Sequence, residues 1–375
     1  MMLLGNDIAK AKFDVALYAG KELIATGQFD NAPAGYKKLS KWLKNKGVEQ
    51  VWACMESTGR YGDSLALYLY QAGHQVSMVN PARIKKYAES KLQRNKTDKL
   101  DAKTIADFCR TQEPSLWTPP APEKRELQEM VRRLSTLIKE QTRERNRLQA
   151  GLESTVVKAS IQATLAFLAT QIAQLEQLIQ SHIDHYPDLK RDHDLLTSIK
   201  GIGDKTAAII LGELPDVDNF DNSGQAVAYA SLSPQQHLSG SSVNKPTKLS
   251  KTGNQNIKTA LYFPALSAMQ HNPIVKALVL RLRLQNKDSM VIVGAAMRKL
   301  FQLAYGVLKS GQPFDPNFAT KLQATIWHLS RYLTQLRHTD VISSDDRSEK
   351  SLRTLSEIER WWRFLAFGFE MTWTA

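Results

Sequence analysis

The sequence predicts an α/β domain with a mixed sheet, followed by an all-α remainder, and three observations carry that prediction. The first hundred residues alternate short apolar runs with segments of helical period. A proline cluster at Pro114, Pro119, Pro120 and Pro122 interrupts them, and beyond it apolar residues recur almost wholly at spacings of three and four. From Leu195 the pattern changes again, to glycine-bearing turns between short helices. At 375 residues the chain exceeds what one core usually holds, so two or three domains are expected.

In order, Leu3 and Leu4 lead into Gly5-Asn6-Asp7-Ile8, a short buried strand bearing one carboxylate. Phe13, Val15 and Leu17 alternate with Asp14, Ala16 and Tyr18, the period of a half-buried strand. Gly20-Lys21 turns the chain into a third strand, Leu23 to Phe29. Tyr36, Leu39, Trp42 and Leu43 repeat at helical spacing, and Gly47 supplies a stop. Val51 to Met55 is a continuous apolar run ending at Glu56, Leu65 to Ala72 reads as a helix, and Val76 to Val79 reads as another strand. Three hairpin-like strands followed by alternating helix and strand give a mixed sheet covered by helices.

Past the prolines, Leu127, Val131, Leu134, Ile138, Leu148 and Leu152 continue through Ile161, Leu165, Leu168, Ile172, Leu175 and Ile179. That stripe predicts long helices, an antiparallel pair broken near Gly151. A core stripe and a protruding hairpin used for dimerisation both fit it. The expected domains are residues 1–115, 120–190 and 191–318. A tail, 319–375, bears an amphipathic stripe at Leu322, Ile326, Leu329, Leu333 and Leu336 and is assigned no role.

Composition narrows the function classes. Apolar content of 42% and charged content of 23% are those of a globular chain. Two cysteines, Cys54 and Cys109, argue against a disulfide scaffold or a cysteine metal site and fit a reducing cytoplasm. Met1 to Asp7 lacks the basic start and long apolar stretch of a signal peptide, and no run of eighteen apolar residues lacks a charge, so neither a signal peptide nor a membrane span is expected. The net charge of +13 is an electrostatic footprint for a polyanion, nucleic acid above all, though it does not separate RNA from DNA.

The strongest chemical constellation is Asp7, Glu56, Asp98 and Asp101. Asp7 lies on the first strand and Glu56 ends the fourth. Asp98 and Asp101 open a helix continuing to Cys109, and residues three apart share a helix face. Converging carboxylates repel one another unless a hard cation sits between them, and all-oxygen ligands suit Mg²⁺ or Mn²⁺. Singly, each has a plainer role: a turn residue, or for Asp98 a helix cap. Arg94, Asn95, Lys96 and Lys99 flank the pair, where they either hold phosphates or solvate a loop.

The segments Gly5-Asn6-Asp7-Ile8-Ala9-Lys10, Glu56-Ser57-Thr58-Gly59, Asn80-Pro81-Ala82 and Arg94-Asn95-Lys96-Thr97-Asp98-Lys99-Leu100-Asp101-Ala102 resemble the N-terminal half of the insertion sequence 110 transposases. Asn6 stands where that family often has Gly. In the C-terminal half, Ser198 to Ala207 reads as helix, glycine turn, helix around Gly201, Gly203 and Lys205. Such a hairpin can offer backbone N–H groups to a DNA phosphate, although glycine turns between helices are more often architecture. The family form has Pro where Lys200 stands. Ser233 to Ser242, followed by Lys248-Leu249-Ser250-Lys251-Thr252-Gly253-Asn254, is similar to the family's serine motif, and the nucleophile maps to Ser239 with Ser241 and Ser242 as fallbacks. Unaided, Ser-Gly-Ser-Ser reads as a flexible loop. The resemblance runs from about residue 3 to 316.

The resemblance implies a RuvC-like (RNase H-type) domain with four acidic metal ligands, in whose sheet the strands of Asp7 and Glu56 would be neighbours, a helical coiled-coil insertion, and a mainly helical domain carrying the serine. It implies a DNA recombinase that acts as a dimer or tetramer on donor and target DNA, guided by a structured non-coding RNA, in the bacterial nucleoid. Attack by Ser239 on a backbone phosphate would conserve the bond energy in a phosphoserine ester that a second DNA hydroxyl can reverse. His237 and a carboxylate of the metal site are equal candidates for the base. Lys248, Lys251 and Arg281 either stabilise transition-state charge or form a solvated basic face. Two other readings use the same residues: a structure-selective nuclease, indifferent to Ser239, and a non-catalytic nucleic-acid scaffold, indifferent to the carboxylates as well.

Overall fold

A computed structural model describes residues 2–57, 59–91, 98–239 and 243–317, and the chain divides between Pro119 and Pro120 into two compact units. Expectations for Arg94, Asn95, Lys96, Ser241, Ser242 and the tail from residue 319 fall outside the described residues.

The first unit is built on a five-stranded sheet of order β3-β2-β1-β4-β5. Strands β1 (Met2–Ile8), β2 (Lys12–Ala19) and β3 (Glu22–Asp30) form an antiparallel meander, whereas β1 with β4 (Val51–Glu56) and β4 with β5 (Gln75–Val79) run parallel. The mixed sheet expected from the sequence is thus present. Strand alternation sorts its side chains. Leu4, Ile8, Phe13, Val15, Val51, Ala53 and Met55 share one core with helices α1 (Pro33–Asn45) and α2 (Arg60–Gln71). On the other face Leu3, Cys54 and Val79 pack with α3 (Pro81–Ser90) and α4 (Asp98–Gln112) through Ile84, Ile105, Phe108 and Cys109. Helix α3 was not foreseen as a helix. Its start is nonetheless written locally: Asn80 Oδ1 accepts from the Ala82 amide at 2.8 Å, and Pro81 occupies the first turn.

In the second unit, α5 (Pro122–Gln149) and α6 (Thr155–His185) are joined through Gly151. His182 Nε2 lies 2.8 Å from the Glu123 carbonyl, tying the end of α6 to the start of α5, so the pair is antiparallel. Leu127, Val131, Leu134 and Leu137 of α5 and Leu168, Ile172, Ile179 and Ile183 of α6 are buried. They belong to the same core as α7 (Pro187–Thr197), α8 (Asp204–Glu213), α9 (Ser223–Tyr229), α10 (Gln255–Ala260), α11 (Tyr262–His271), α12 (Pro273–Leu284) and α13 (Ser289–Ser310). By length and composition α6 and α13 are both apolar enough to cross a membrane. In α6 the charge-free run lies between Lys158 and Glu176, just short of eighteen residues, which is why a search for charge-free runs passes over it. Helix α13 is a core helix: Ile292, Ala296, Leu300, Phe301 and Ala304 are buried.

One element departs from the all-α expectation for this region. The residues on either side of the Ser-Gly-Ser-Ser segment pair as antiparallel strands, β6 (Pro234–Ser239) and β7 (Val243–Leu249). These strands are too polar to show an apolar alternation in the sequence.

Candidate functional site

In the first unit, the parallel register of β1 and β4 pairs Gly5 with Cys54 and Asn6 with Met55. The next step along both strands brings Asp7 level with Glu56 at adjacent C-terminal ends. Asp7 follows Leu3 and Gly5 on the face covered by α4, and Glu56 follows Cys54 there. Gly5 lets that helix sit directly on the strand: a Cβ at this position would lie 2.1 Å from the Ala102 carbonyl oxygen and 2.6 Å from the Ala106 amide nitrogen. The backbone of α4 therefore crosses β1 two residues from Asp7, with Asp101 immediately before the point of contact. Asp7, Glu56 and Asp101 are each half-buried. The backbone of Asp98 begins α4, but its side chain, like that of Lys99, lies outside the described residues.

Carboxylate oxygens suit a hard divalent cation. Among the described residues, however, no three His, Cys, Asp or Glu side chains gather closely enough to hold a metal, so those residues alone do not make a ligand set. The sheet adds a carboxylate that sequence reasoning passed over. Asp14 is the cross-strand partner of Asp7, lies on the same face as Tyr18, and is 5% exposed. Gln28 Nε2 donates to its Oδ2 at 3.0 Å. The signal available was the single charge in the alternating strand Phe13-Asp14-Val15-Ala16-Leu17, on a face that burial makes costly without a partner.

Two aromatic and charged contacts brace α4 from α3. Tyr87 Oη donates to Asp107 Oδ2 at 2.6 Å, and Lys91 Nζ lies 3.3 Å from the same oxygen, while Arg110 pairs with the other. Burial pushes the Asp107 carboxyl upward, but the hydrogen bonds from Tyr87, Arg110 and Lys91 prevail and hold it below the usual range. In the sequence, the α3 and α4 groups that make these contacts lie on either side of Arg94, Asn95 and Lys96.

In the second unit, Ser239 is the last residue of β6 and pairs with Val243, placing it at the tip of the hairpin. Its side chain and that of His237 lie outside the described residues. The root of the hairpin is well tied. Ser231 Oγ donates to the Ser250 carbonyl at 2.6 Å, the Ser250 amide donates to the Ser233 carbonyl at 2.9 Å, and Gln255 Nε2 donates to Ser231 Oγ at 2.7 Å. Lys248 and Lys251 are exposed. Lys258, which sequence reasoning did not single out, donates to the Ser250 carbonyl at 2.9 Å. Burial, and secondarily the neighbouring Lys251 charge, lower its pKa.

The glycines of the helical hairpin separate in role. Gly201, at φ +111°, faces α11: a Cβ there would meet the Ala268 Cβ at 2.7 Å. Gly203 begins α8, and a Cβ on it would meet nothing within 4 Å. Gly201 serves packing, and Gly203 lies open. Lys205 pairs with Glu176 of α6 at 2.7 Å. Lys200, where proline was expected, is tied through its carbonyl to Asn272 Nδ2 at 3.2 Å. Arg281 is exposed on α12.

Two family models match the sequence in succession. A DEDD-type IS110 model described as "Transposase" covers residues 4–157, and one described as "Transposase IS116/IS110/IS902 family" covers residues 193–280. The pilin gene-inverting protein of Moraxella bovis is 30% identical over 315 residues, which make up 83% of this chain and 97% of that protein. The transposase for insertion sequence element IS1328 of Yersinia enterocolitica is 24% identical over 286 residues, 67% of this chain and 82% of that one. Among solved structures, Thermus thermophilus RuvC in complex with a Holliday junction substrate covers 31% of this chain and 99% of its own at 14% identity and a TM-score of 0.25, too slight a likeness to carry weight. With successive parts of the sequence fitting two models of one family, and a relative matched over nearly its whole length, the chain belongs to the IS110 family of transposases.

Proposed function

We propose that the protein cuts and rejoins DNA strands through two chemistries, an acidic site in the first unit and Ser239 in the second. The observation that carries this reading is the register that sets Asp7 beside Glu56 at neighbouring parallel strand ends, under a helix seated on Gly5 whose first turn holds Asp98 and Asp101. With Asp98 included, those four carboxylates are the residues that would hold Mg²⁺ or Mn²⁺, which would neutralise charge at a phosphodiester. Each carboxylate then acts by binding and orienting.

At Ser239, a bond forms between Oγ and phosphorus while one breaks between phosphorus and a deoxyribose oxygen, which departs with the serine proton. A second DNA hydroxyl reverses the step, so strand exchange conserves its bonds. The name of the Moraxella relatives supports a cut-and-rejoin reaction, because inverting a gene requires both its ends to be rejoined. The net charge of +13 suits DNA together with a guide RNA, and the family resemblance adds assembly of two or four copies, with the serine of one meeting the acidic site of another.

The test is a covalent protein–DNA adduct, trapped on a nicked duplex carrying the element's end, with Mg²⁺ and RNA transcribed from the flanking DNA. Ser239→Ala should abolish the adduct, and Asp7→Asn or Glu56→Gln should lower its rate at least 100-fold, a barrier change of several kcal/mol. Cleavage that survives Ser239→Ala without an adduct would favour a simple nuclease. Activity indifferent to all three substitutions would leave only a scaffold.

A further inference from the structure

Glu213 ends α8 in the apolar run Ala-Ala-Ile-Ile-Leu-Gly-Glu-Leu and is 1% exposed. A buried carboxylate is costly unless its oxygens are filled. Here four donors fill them. Arg132 of α5 grips it in a fork, Nε to Oε1 at 2.7 Å and Nη2 to Oε2 at 2.9 Å. Asn254 Nδ2 donates to Oε2 at 2.9 Å, and Asn256 Nδ2 donates to Oε1 at 2.7 Å. Burial pushes the carboxyl upward, yet the Arg132 and Asn254 hydrogen bonds more than offset it and keep the group ionised.

The two asparagines stand just beyond β7. Asn254 is held at three further points: its amide donates to the Tyr229 carbonyl at 2.6 Å, and its Oδ1 accepts from the Asn256 and Ile257 amides at 2.9 and 3.2 Å, starting α10. Between it and the strand lies Gly253, at φ +122°, where a Cβ would come 2.5 Å from the Tyr229 carbonyl oxygen. The chain from Leu249 to Asn254 therefore has no slack. A shift at Asn254 passes directly to Ser250, whose amide and carbonyl hold the hairpin root. The Glu213 carboxylate thus joins α5, α8 and the exit of β7 at one point, and charge-assisted bonds of this number form a stiff tie.

We propose that Glu213 is a positioning residue for strand transfer, fixing the angle of the β6–β7 hairpin and with it the serine at its tip. This rests on the assignment of Ser239 as nucleophile. An ångström of misplacement in a reacting group costs about 100-fold in rate. In the full-length protein, Glu213→Gln keeps the side-chain shape but removes the charge, and should slow adduct formation by about that factor with DNA affinity unchanged. Asn256→Ala removes one bond and leaves the Arg132 pair, and should cost on the order of tenfold. Both should speed amide hydrogen exchange at Ser250 and Asn254 while α13 exchanges as before. Wild-type exchange and adduct rates in both variants would overturn the proposal, as would faster exchange spread evenly over the unit. Should Glu213→Gln fail to fold, Asn256→Ala decides. If the unsubstituted protein forms no adduct, the serine assignment fails, while exchange at Ser250 and Asn254 still decides whether Glu213 fixes the hairpin.

Discussion

Gly5→Ala is the sharpest test of how the acidic face is assembled. The added methyl would fall 2.1 Å from the Ala102 carbonyl oxygen, 2.6 Å from the Ala106 nitrogen and 2.8 Å from the Ala106 Cβ. All three belong to α4 and two are backbone, so no rotamer change relieves them. Ordinary contact begins near 3.4 Å, so the helix must retreat from β1 by roughly 1.3 Å. Overpacking of this kind costs about 1–3 kcal/mol, which in a unit of this size lowers the melting temperature by roughly 4–15 °C. The retreat carries Asp101, the neighbour of Ala102, away from Asp7 by a comparable distance. A displacement of an ångström costs about 100-fold in a reaction that depends on alignment. DNA cleavage measured well below the melting temperature of the variant separates the two effects: the folded fraction stays near unity while the rate falls. Unchanged cleavage in a protein destabilised as expected would mean that the geometry of α4 over β1 is irrelevant to the reaction. Unchanged stability would refute the packing itself.

Acid should weaken the second unit through Glu213. Its carboxyl is held below the usual glutamate range, against the upward push of burial, by Arg132 and Asn254. A depressed folded pKa contributes stability that is complete above the unfolded value, near pH 4.3, and is lost as pH falls through the folded one. The gap in urea-unfolding stability between the parent and Glu213→Gln, about 3 kcal/mol at neutral pH, should therefore close progressively below about pH 4.5; a gap constant to pH 3 would count against the tie. Gly201→Ala and Gly203→Ala should differ. The first meets Ala268 at 2.7 Å with φ +111° and should lose about 2–5 kcal/mol, while the second meets nothing within 4 Å and should unfold within about 0.5 kcal/mol of the parent. Equal melting temperatures for the two would refute the assignment of Gly201 to packing.

What the sequence made legible follows from the range of the forces involved. The strands of the first unit announce themselves because burial on one or both faces writes an apolar period of two or a continuous run, as in Phe13-Val15-Leu17 and Val51 to Met55. Helix α3 escaped because Ile84 is its one buried apolar residue, leaving no stripe to read, although Asn80-Pro81 marked its start. The hairpin β6–β7 escaped for a related reason. Its residues are polar, and its strands are fixed by hydrogen bonds at the root, which leave no hydrophobic period. The strand positions of Asp7 and Glu56 were legible from local pattern, whereas the neighbouring of their strands was expected only through likeness to an RNase H-type sheet, because it depends on a pairing register between segments over forty residues apart. Asp14 and Glu213 illustrate the same limit. Each is one acidic residue in an apolar stretch, a visible anomaly, yet its partners Gln28, Arg132, Asn254 and Asn256 come from elsewhere in the chain.

The two departures from the family pattern, Asn6 and Lys200, show how such anomalies are absorbed. Asn6 is fully buried between Gly5 and Asp7, on the face opposite them, and its Nδ2 donates to the Leu4 and Cys54 carbonyls at 3.0 and 3.1 Å. Its Oδ1 has no hydrogen-bond partner among the described residues. Two neutral bonds contribute about 1 kcal/mol each, and a buried oxygen left unmade costs about 1–3 kcal/mol, so the side chain is close to neutral for stability. What it adds is a cross-link from β1 to β4, one residue before Asp7 and two before Glu56, where a glycine would leave the strand ends looser. Lys200 tells the same story from the exposed side. Its carbonyl is held by Asn272, so the turn keeps its course without the ring that a proline would supply. In both places the backbone path that the neighbouring residues require is kept by a hydrogen bond drawn from a distant element. A substitution at a motif position is therefore best judged by where the adjacent carboxylate or glycine is left standing.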